Sequence, residues 1–265
     1  MLYAFTGGND GDSPSNGAVV FDAVRNLYGT TIWGNDIDYY WGLVYQLTPS
    51  GGGWTETVIH NLHWADGISP VPGVIFDASG NLVGAGEEGG GSYGCGAIFQ
   101  LTPGQSGWTA NTLFSFTCTP YELPTGGIGL DRSGNIYGKF DSNNWGVGGM
   151  YQLTPSPYGW TMNIIHSFTT QDPGGGWWQG GGPVFDRNGS LYDTTYSEGA
   201  YGMGTVFKLT PGSGGWSYSS LHDFTGGLDG SNPDAGLAID TQGNLYGTTE
   251  YGGASNQGVV FMIKP

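Results

Sequence analysis

Apolar residues along this chain come in short runs divided by glycine and polar turn residues, and no stretch carries the period of a long amphipathic helix. The runs recur. GLAIDTQGNLYGTT from Gly236 has counterparts in GAVVFDAVRNLYGTT from Gly17, GVIFDASGNLVGAG from Gly73, GLDRSGNIYGKF from Gly129 and GPVFDRNGSLYDTT from Gly182. The equivalent positions Gly29, Gly84, Gly138, Asp193 and Gly247 are 55, 54, 55 and 54 residues apart. A second apolar run follows each of the first four: LVYQLTPSGGGW from Leu43, AIFQLTPGQSGW from Ala97, MYQLTPSPYGW from Met150 and TVFKLTPGSGGW from Thr205. A third run comes after the tryptophan.

Each copy therefore predicts four strands. Strand A is the short run ending in aspartate, B is the NLYGTT segment, C is the VFQL segment, and D follows the tryptophan. The A–B turn reads Asp-x-x-Gly-Asn, with Asp22, Asp77, Asp131, Asp186 and Asp240 expected to accept backbone N–H groups and glycine to supply positive φ. The C–D turn reads Thr-Pro-x-x-Gly-Trp; Trp54, Trp108, Trp160 and Trp216 are expected to pack between blades or to cover the turns. A four-stranded unit of about 50 residues has the size of a propeller blade. The fifth copy stops after strand C, and residues 2–8 match residues 221–227, which close the fourth copy. The expected fold is all-β: a five-bladed β-propeller, four antiparallel strands per blade, with the N-terminal strand closing the last blade. It occupies residues 1–265 as a single domain, with repeats at about 7–62, 63–116, 117–168, 169–224, and 225–265 plus 1–6. A linear solenoid would leave the half-blade unexplained.

Composition narrows the function. With 6 Lys and Arg against 22 Asp and Glu, the formal net charge is −16 at pH 7, so no nucleic acid and no anionic membrane is expected as partner. The 53 glycines lack the every-third-residue period of collagen, and the 14% aromatic content argues against disorder. No apolar run reaches the ~20 residues of a transmembrane helix. No basic-then-apolar leader opens the sequence, so no secretory signal is expected in these residues. The phrases GNLYGTTEYGG from Gly243, GTVFKLTP from Gly204 and LHDFTGGLDGSNP from Leu221 resemble the Gloeo/Verruco (GloVer) glycine-rich tandem-repeat proteins of environmental bacteria, over essentially the whole chain. The pattern departs at Gly84-Ala85-Gly86, Gly138-Lys139-Phe140 and Asp193. The resemblance implies a secreted or surface-anchored protein and supplies no chemistry to transfer residue by residue.

The A–B and C–D turns are repetitive, whereas the B–C and D–A loops on the other face vary, and variable loops on a rigid frame are where binding residues collect. Their aromatics suit an uncharged polyhydroxy ligand, rings covering C–H faces and carboxylates taking hydroxyls. The candidate contacts are Trp33, Tyr39, Tyr40 and Trp41 in the first B–C loop, with Trp64 in the D–A loop after it. Tyr93 and Tyr121 follow, then Trp145, Trp177, Trp178 and Tyr201. Glu87, Asp141 and Glu250 share one repeat position; a carboxylate pair there could act on a glycosidic bond, bind Ca2+ or stay solvated. Asp193 joins them as a candidate acid, and Lys139 is a contact residue or an offset to the carboxylates. His60, His166 and His222 recur on strand D and read as packing, and no further cofactor is indicated. NDGD at residues 9–12 is an incomplete calcium loop. Pairing Leu101 with Thr112 about the C–D turn sets Cys95 opposite Cys118 and predicts a disulfide and an oxidising compartment. The expected function is an extracellular carbohydrate-binding propeller, monomeric, taking an oligo- or polysaccharide. The alternatives are a glycan-degrading hydrolase or lyase, or a structural surface module.

Overall fold

The computed structural model describes residues 1–14, 18–34, 41–70, 73–118, 123–141, 148–168, 181–197 and 199–265. The protein is an all-β, five-bladed β-propeller without helices among the described residues. Its chain falls into two compact units, residues 1–124 with 158–160, and residues 125–157 with 161–265.

In the first unit, blade one contains β1 (Asp12–Pro14), β2 (Val20–Phe21), β3 (Leu27–Trp33), β4 (Leu43–Ser50) and β5 (Gly53–Asn61). The expected strand A is split here, β1 and β2 both pairing with β3. Blade two runs β6 (Val74–Phe76), β7 (Leu82–Gly86), β8 (Ala97–Gly104) and β9 (Gly107–Ser115) in simple antiparallel order. Blade three comprises β10 (Leu123–Leu130), β11 (Ile136–Asp141), β12 (Gly149–Ser156) and β13 (Gly159–Ser167), and all of it but Leu123, Pro124, Gly159 and Trp160 falls in the second unit. Blade four is β14 (Val184–Phe185), β15 (Leu191–Thr195), β16 (Thr205–Gly212) and β17 (Gly215–Asp223). Blade five is β18 (Ala238–Ile239), β19 (Leu245–Thr249) and β20 (Val259–Ile263).

The middle strands are the most buried: every residue of β7 and β15 is buried. The outer strand β5 alternates between exposed and half-buried, as a one-sided strand should. Burial of the middle strands explains the repeated glycine. A Cβ at Gly29, Gly84, Gly138 or Gly247 would overlap the ring of Tyr45, Phe99, Tyr151 or Phe261 on the neighbouring strand. The rings of one blade then pack on the next. Trp108 of blade two meets Tyr28 of blade one edge-on at 5.9 Å, and Trp216 of blade four meets Tyr137 of blade three at 5.8 Å, which is the role expected of these tryptophans.

The A–B turns behave as their sequence requires. Asp131 Oδ1 accepts the backbone N–H of Ser133 at 2.8 Å and of Asn135 at 3.0 Å, while Oδ2 accepts Asn135 Nδ2 and the Tyr137 hydroxyl. Asp22, Asp77, Asp186 and Asp240 repeat the pattern. Gly80, Gly134 and Gly243 take positive φ, and in the first turn Arg25 does so at 72°.

One expectation about register needs correction. Among the described residues the last sheet comprises β18, β19 and β20, and residues 1–6 carry no strand of their own. Their equivalence to residues 221–224 still holds in the packing: Phe5 meets Tyr45 at 4.9 Å as Phe224 meets Phe261 at 5.1 Å. The disulfide between Cys95 and Cys118 is present, with Cα atoms 5.5 Å apart, but not by the register that suggested it. Thr112 pairs with Phe99, not Leu101; a bulge between Ile98 and Phe99 then shifts the ladder toward the cysteines. Equivalent bulges occur at Val44/Tyr45 and Val206/Phe207.

Candidate functional site

The D–A connections are built on a repeated aspartate. Asp10 accepts the Thr6 backbone N–H at 2.9 Å, the Thr6 hydroxyl at 2.6 Å and the Tyr3 hydroxyl at 2.9 Å. Asp229 accepts the Thr225 N–H and hydroxyl in the same way and pairs with His222 Nε2 at 3.1 Å. NDGD is therefore a loop cap in which Asp10 is already engaged. In blade one the corresponding aspartate is Asp66, which meets His60 Nε2 at 2.9 Å, the His63 N–H at 3.2 Å and His63 Nδ1 at 3.5 Å. Among the described residues these three form the one group of metal-ligating side chains close enough to share an ion. His166 stacks on Tyr218, as a packing histidine would. His60 and His222 each meet a carboxylate, a role legible only once the D–A loops are aligned.

In the first unit the B–C loop of blade two and the D–A loop before it are locked together. Ile68 and Glu88 exchange backbone hydrogen bonds at 2.7 and 3.3 Å, and the Glu87 N–H reaches the Ser69 carbonyl at 3.4 Å. Trp64 donates Nε1–H to the Gly91 carbonyl at 3.1 Å, and its own carbonyl accepts from Gly90 at 2.6 Å. One bond fixes the indole nitrogen and the other the backbone, and the residue remains 46% exposed. Tyr93 stands out at 68% exposure, two residues from the Cys95–Cys118 bridge. Trp33 ends β3 with 42% exposure. Trp41 is half-buried and meets the His63 ring edge-on at 6.3 Å. Glycines set the close approach of these loops: Gly42 and Gly96, at φ of 83° and 90°, lie against Pro70 and Pro124, where any Cβ would collide.

In the second unit Glu250 is exposed and accepts the Tyr196 hydroxyl at 2.7 Å. That bond, with a second from Tyr251, holds its carboxyl below the usual range and pushes Tyr196 up to about 12. Asp234 goes the other way: burial raises it, the Glu250 charge adds, and Lys139 opposes. Sequence reasoning missed Asp234; alignment of Asn232-Pro233-Asp234 with Ser69-Pro70 would have put it on the functional loop. Asp141 is half-buried at the end of β11, and Tyr201 is exposed at 61%. Asp193 and Lys139 lie in the interior, at 0% and 2% exposure. Lys139 Nζ lies 3.4 Å from Asp193 Oδ1, 3.3 Å from Oδ2 and 3.3 Å from the Gly181 carbonyl. Burial raises the Asp193 carboxyl, and the lysine charge counters it. These two side chains are partners to each other and are not presented with the exposed loop residues. Glu87 belongs to the first unit and Asp141, Asp193 and Glu250 to the second. Tyr39, Tyr40, Tyr121, Trp145, Trp177 and Trp178 lie outside the described residues.

A broad depression in the second unit lies on the opposite, A–B turn side. Arg132, Arg187, Lys208 and Lys264 line it together with Asp131, Asp186 and Asp240, whose carboxylates are occupied by their own turns.

Five sheets of repeated sequence with aspartate-capped loops define a β-propeller of tandem glycine-rich repeats. The chain belongs to the Gloeobacter/Verrucomicrobia repeat family, whose model matches residues 1–174 and 131–265. No curated protein matches it. Among solved structures it is similar to an endo-arabinase from Bacteroides thetaiotaomicron, with TM-score 0.51 and 14% identity over 99% of this chain and 98% of that one. It is also similar to an exo-beta-1,3-galactanase from Phanerochaete chrysosporium bearing beta-1,3-galactotriose, with TM-score 0.53 and 14% identity over 99% and 62% of the two chains. A third is PorZ, a surface component of the type-IX secretion system of Porphyromonas gingivalis, with TM-score 0.53 and 16% identity over 99% and 34%. At such identities the likeness is one of fold.

Proposed function

We propose that the protein binds a carbohydrate outside the cytoplasm, through aromatic side chains of the B–C and D–A loops. The observation that carries this reading is Trp64, whose indole N–H is bonded to the Gly91 carbonyl and whose backbone carbonyl accepts from Gly90 while the residue remains 46% exposed. A pre-ordered ring loses little rotamer entropy when a sugar stacks on it. Tyr93 and Trp33, both exposed in the same unit, extend the apolar area available. The disulfide supports an oxidising compartment. The endo-arabinase and the galactanase, by name enzymes of glycans, are consistent with sugar recognition on this architecture. Screening on a glycan array tests the proposal. Trp64→Ala should weaken the best hit by about 10-fold, or ~1.4 kcal/mol, with an unchanged thermal midpoint. Binding of no glycan, or equal binding by the variant, would reject the aromatic site.

A second reading has its own observation. The Asp234 carboxyl is raised by burial and the Glu250 charge, whereas Glu250 is lowered by the Tyr196 and Tyr251 hydroxyls. Displacements of opposite sign are what an acid and a base need. Reducing-end analysis of the array hits tests it. If the protein is a hydrolase, Glu250→Gln should abolish product release while binding persists; no release by the wild type leaves the protein a binding module.

A further inference from the structure

His60, His63 and Asp66 bring two imidazole nitrogens and a carboxylate oxygen within 4.8 Å of one another. Asp66 Oδ2 lies 2.9 Å from His60 Nε2 and 3.5 Å from His63 Nδ1. Around a tetrahedral ion with bonds of about 2.1 Å, ligand atoms are roughly 3.4 Å apart. Two of the three edges of such a face are thus near that length and the third is within 4.8 Å, with the exposed His63 ring lying against the Trp41 and His60 rings.

The sister loops show what the frame needs without a metal. Around Asp10 and Asp229 the same cap is completed by Thr6 and Thr225, each giving a backbone N–H and a hydroxyl. His63 supplies the N–H to Asp66 and adds an imidazole for which the cap has no use. The blade-one loop is also one residue shorter, so Asp66 follows His63 by three positions where Asp229 follows Thr225 by four. Both changes converge on the same aspartate. The frame holds them firmly: the Ala65 carbonyl accepts the Thr112 hydroxyl at 2.8 Å, Trp64 is pinned to Gly91, and His60 is part of β5.

We propose that His60, His63 and Asp66 form a three-ligand site for a divalent transition metal of the zinc type, with a fourth position open to water. Two imidazoles and one carboxylate favour Zn2+, Co2+, Ni2+ or Cu2+ over Ca2+ and Mg2+, which take oxygen sets. The side chain of His63 is 65% exposed while those of His60 and Asp66 are 17% and 15% exposed, so the open position faces solvent from an otherwise sheltered base.

The test uses the full chain after chelator treatment and no glycan, so it is independent of the carbohydrate reading. Zn2+ titration by calorimetry should give one equivalent bound, and Co2+ should give the visible bands of a low-coordinate nitrogen–oxygen site. Zn2+ should raise the thermal midpoint, because it binds the folded state alone. His63→Thr rebuilds the sister loop and keeps the cap. It should leave the metal-free midpoint unchanged, remove the Zn2+-dependent rise and weaken Zn2+ by at least the roughly 100-fold that losing even an outer-shell partner can cost. Wild-type protein that takes up neither Zn2+ nor Co2+, or a His63→Thr variant that binds both as well as wild type, overturns the site.

Discussion

At the scale of single residues the buried pair Lys139–Asp193 departs most sharply from its repeat. Sister blades carry glycine where Asp193 stands, and Thr30, Ala85, Thr194 and Thr248 where Lys139 stands. Two substitutions one blade apart have created an ion pair at 3.3 Å with almost no solvent contact. Removing one member of a buried pair costs about 3–5 kcal/mol, whereas replacing both with apolar groups is often neutral. Asp193→Gly alone and Lys139→Met alone should each be strongly destabilising, and the double variant should recover most of the loss. Denaturant midpoints of the four proteins measure this coupling; additive losses would mean that each side chain contributes separately. The sequence marked both residues as exceptions to the repeat. Their burial was not legible there, because a substitution in a strand pattern says which position changed, not which side chain from the next blade will meet it. Trp64 shows the opposite case. Its exposure was expected from a variable loop, and the structure added the hydrogen bond to Gly91 that fixes the indole nitrogen.

At the scale of the element, periodicity made the strands and turns readable because each carries its reason in a short string. Asp-x-x-Gly-Asn gives a carboxylate four residues before an amide that reaches back to it, and every described turn of this kind closes as that spacing requires. Register was less legible. The bulge between Ile98 and Phe99 adds one residue without a glycine or proline to announce it, so counting from the C–D turn misplaces the ladder while still reaching the right cysteines. The first turn offers a test of the physics. Arg25 holds φ of 72° where Gly80, Gly134, Gly189 and Gly243 hold 82°, 80°, 83° and 87°. A non-glycine residue in that region costs roughly 1–2 kcal/mol, part of which glycine returns as unfolded-chain entropy. Arg25→Gly should therefore stabilise the protein by about 0.5–1 kcal/mol, read as a higher denaturant midpoint at unchanged slope. A lower midpoint would mean that Arg25 makes a contact worth more than its strain.

At the scale of the whole molecule two groups of carboxyls oppose each other. Asp10, Asp22, Asp66, Asp186 and Asp229 are held below their ordinary value: in each, burial raises the carboxyl, but hydrogen bonds from the loop or turn it closes prevail. Such groups give stability that is present above the unfolded value of 3.8 and lost as pH falls through their folded values. Burial raises Glu56, Asp193 and Asp234, and these act with the other sign. Their stability is full below the unfolded value and disappears as pH rises through the folded one, where a buried group must ionise. The net charge of −16 at pH 7 adds self-repulsion, which fades as the chain approaches its isoelectric point near 4.1. The thermal midpoint should therefore rise as pH falls from 7 toward the unfolded aspartate value of 3.8, and drop steeply as pH falls further through the folded values of the lowered aspartates. High salt should flatten the neutral-side slope, which is largely repulsion, and spare the acid-side drop, which comes from short hydrogen bonds. Circular dichroism melts across this range check both limbs. A midpoint that climbs steadily with pH would show that the raised carboxyls and net charge have little weight, and one indifferent to acid below 3.8 would remove the aspartate caps from the stability of the fold.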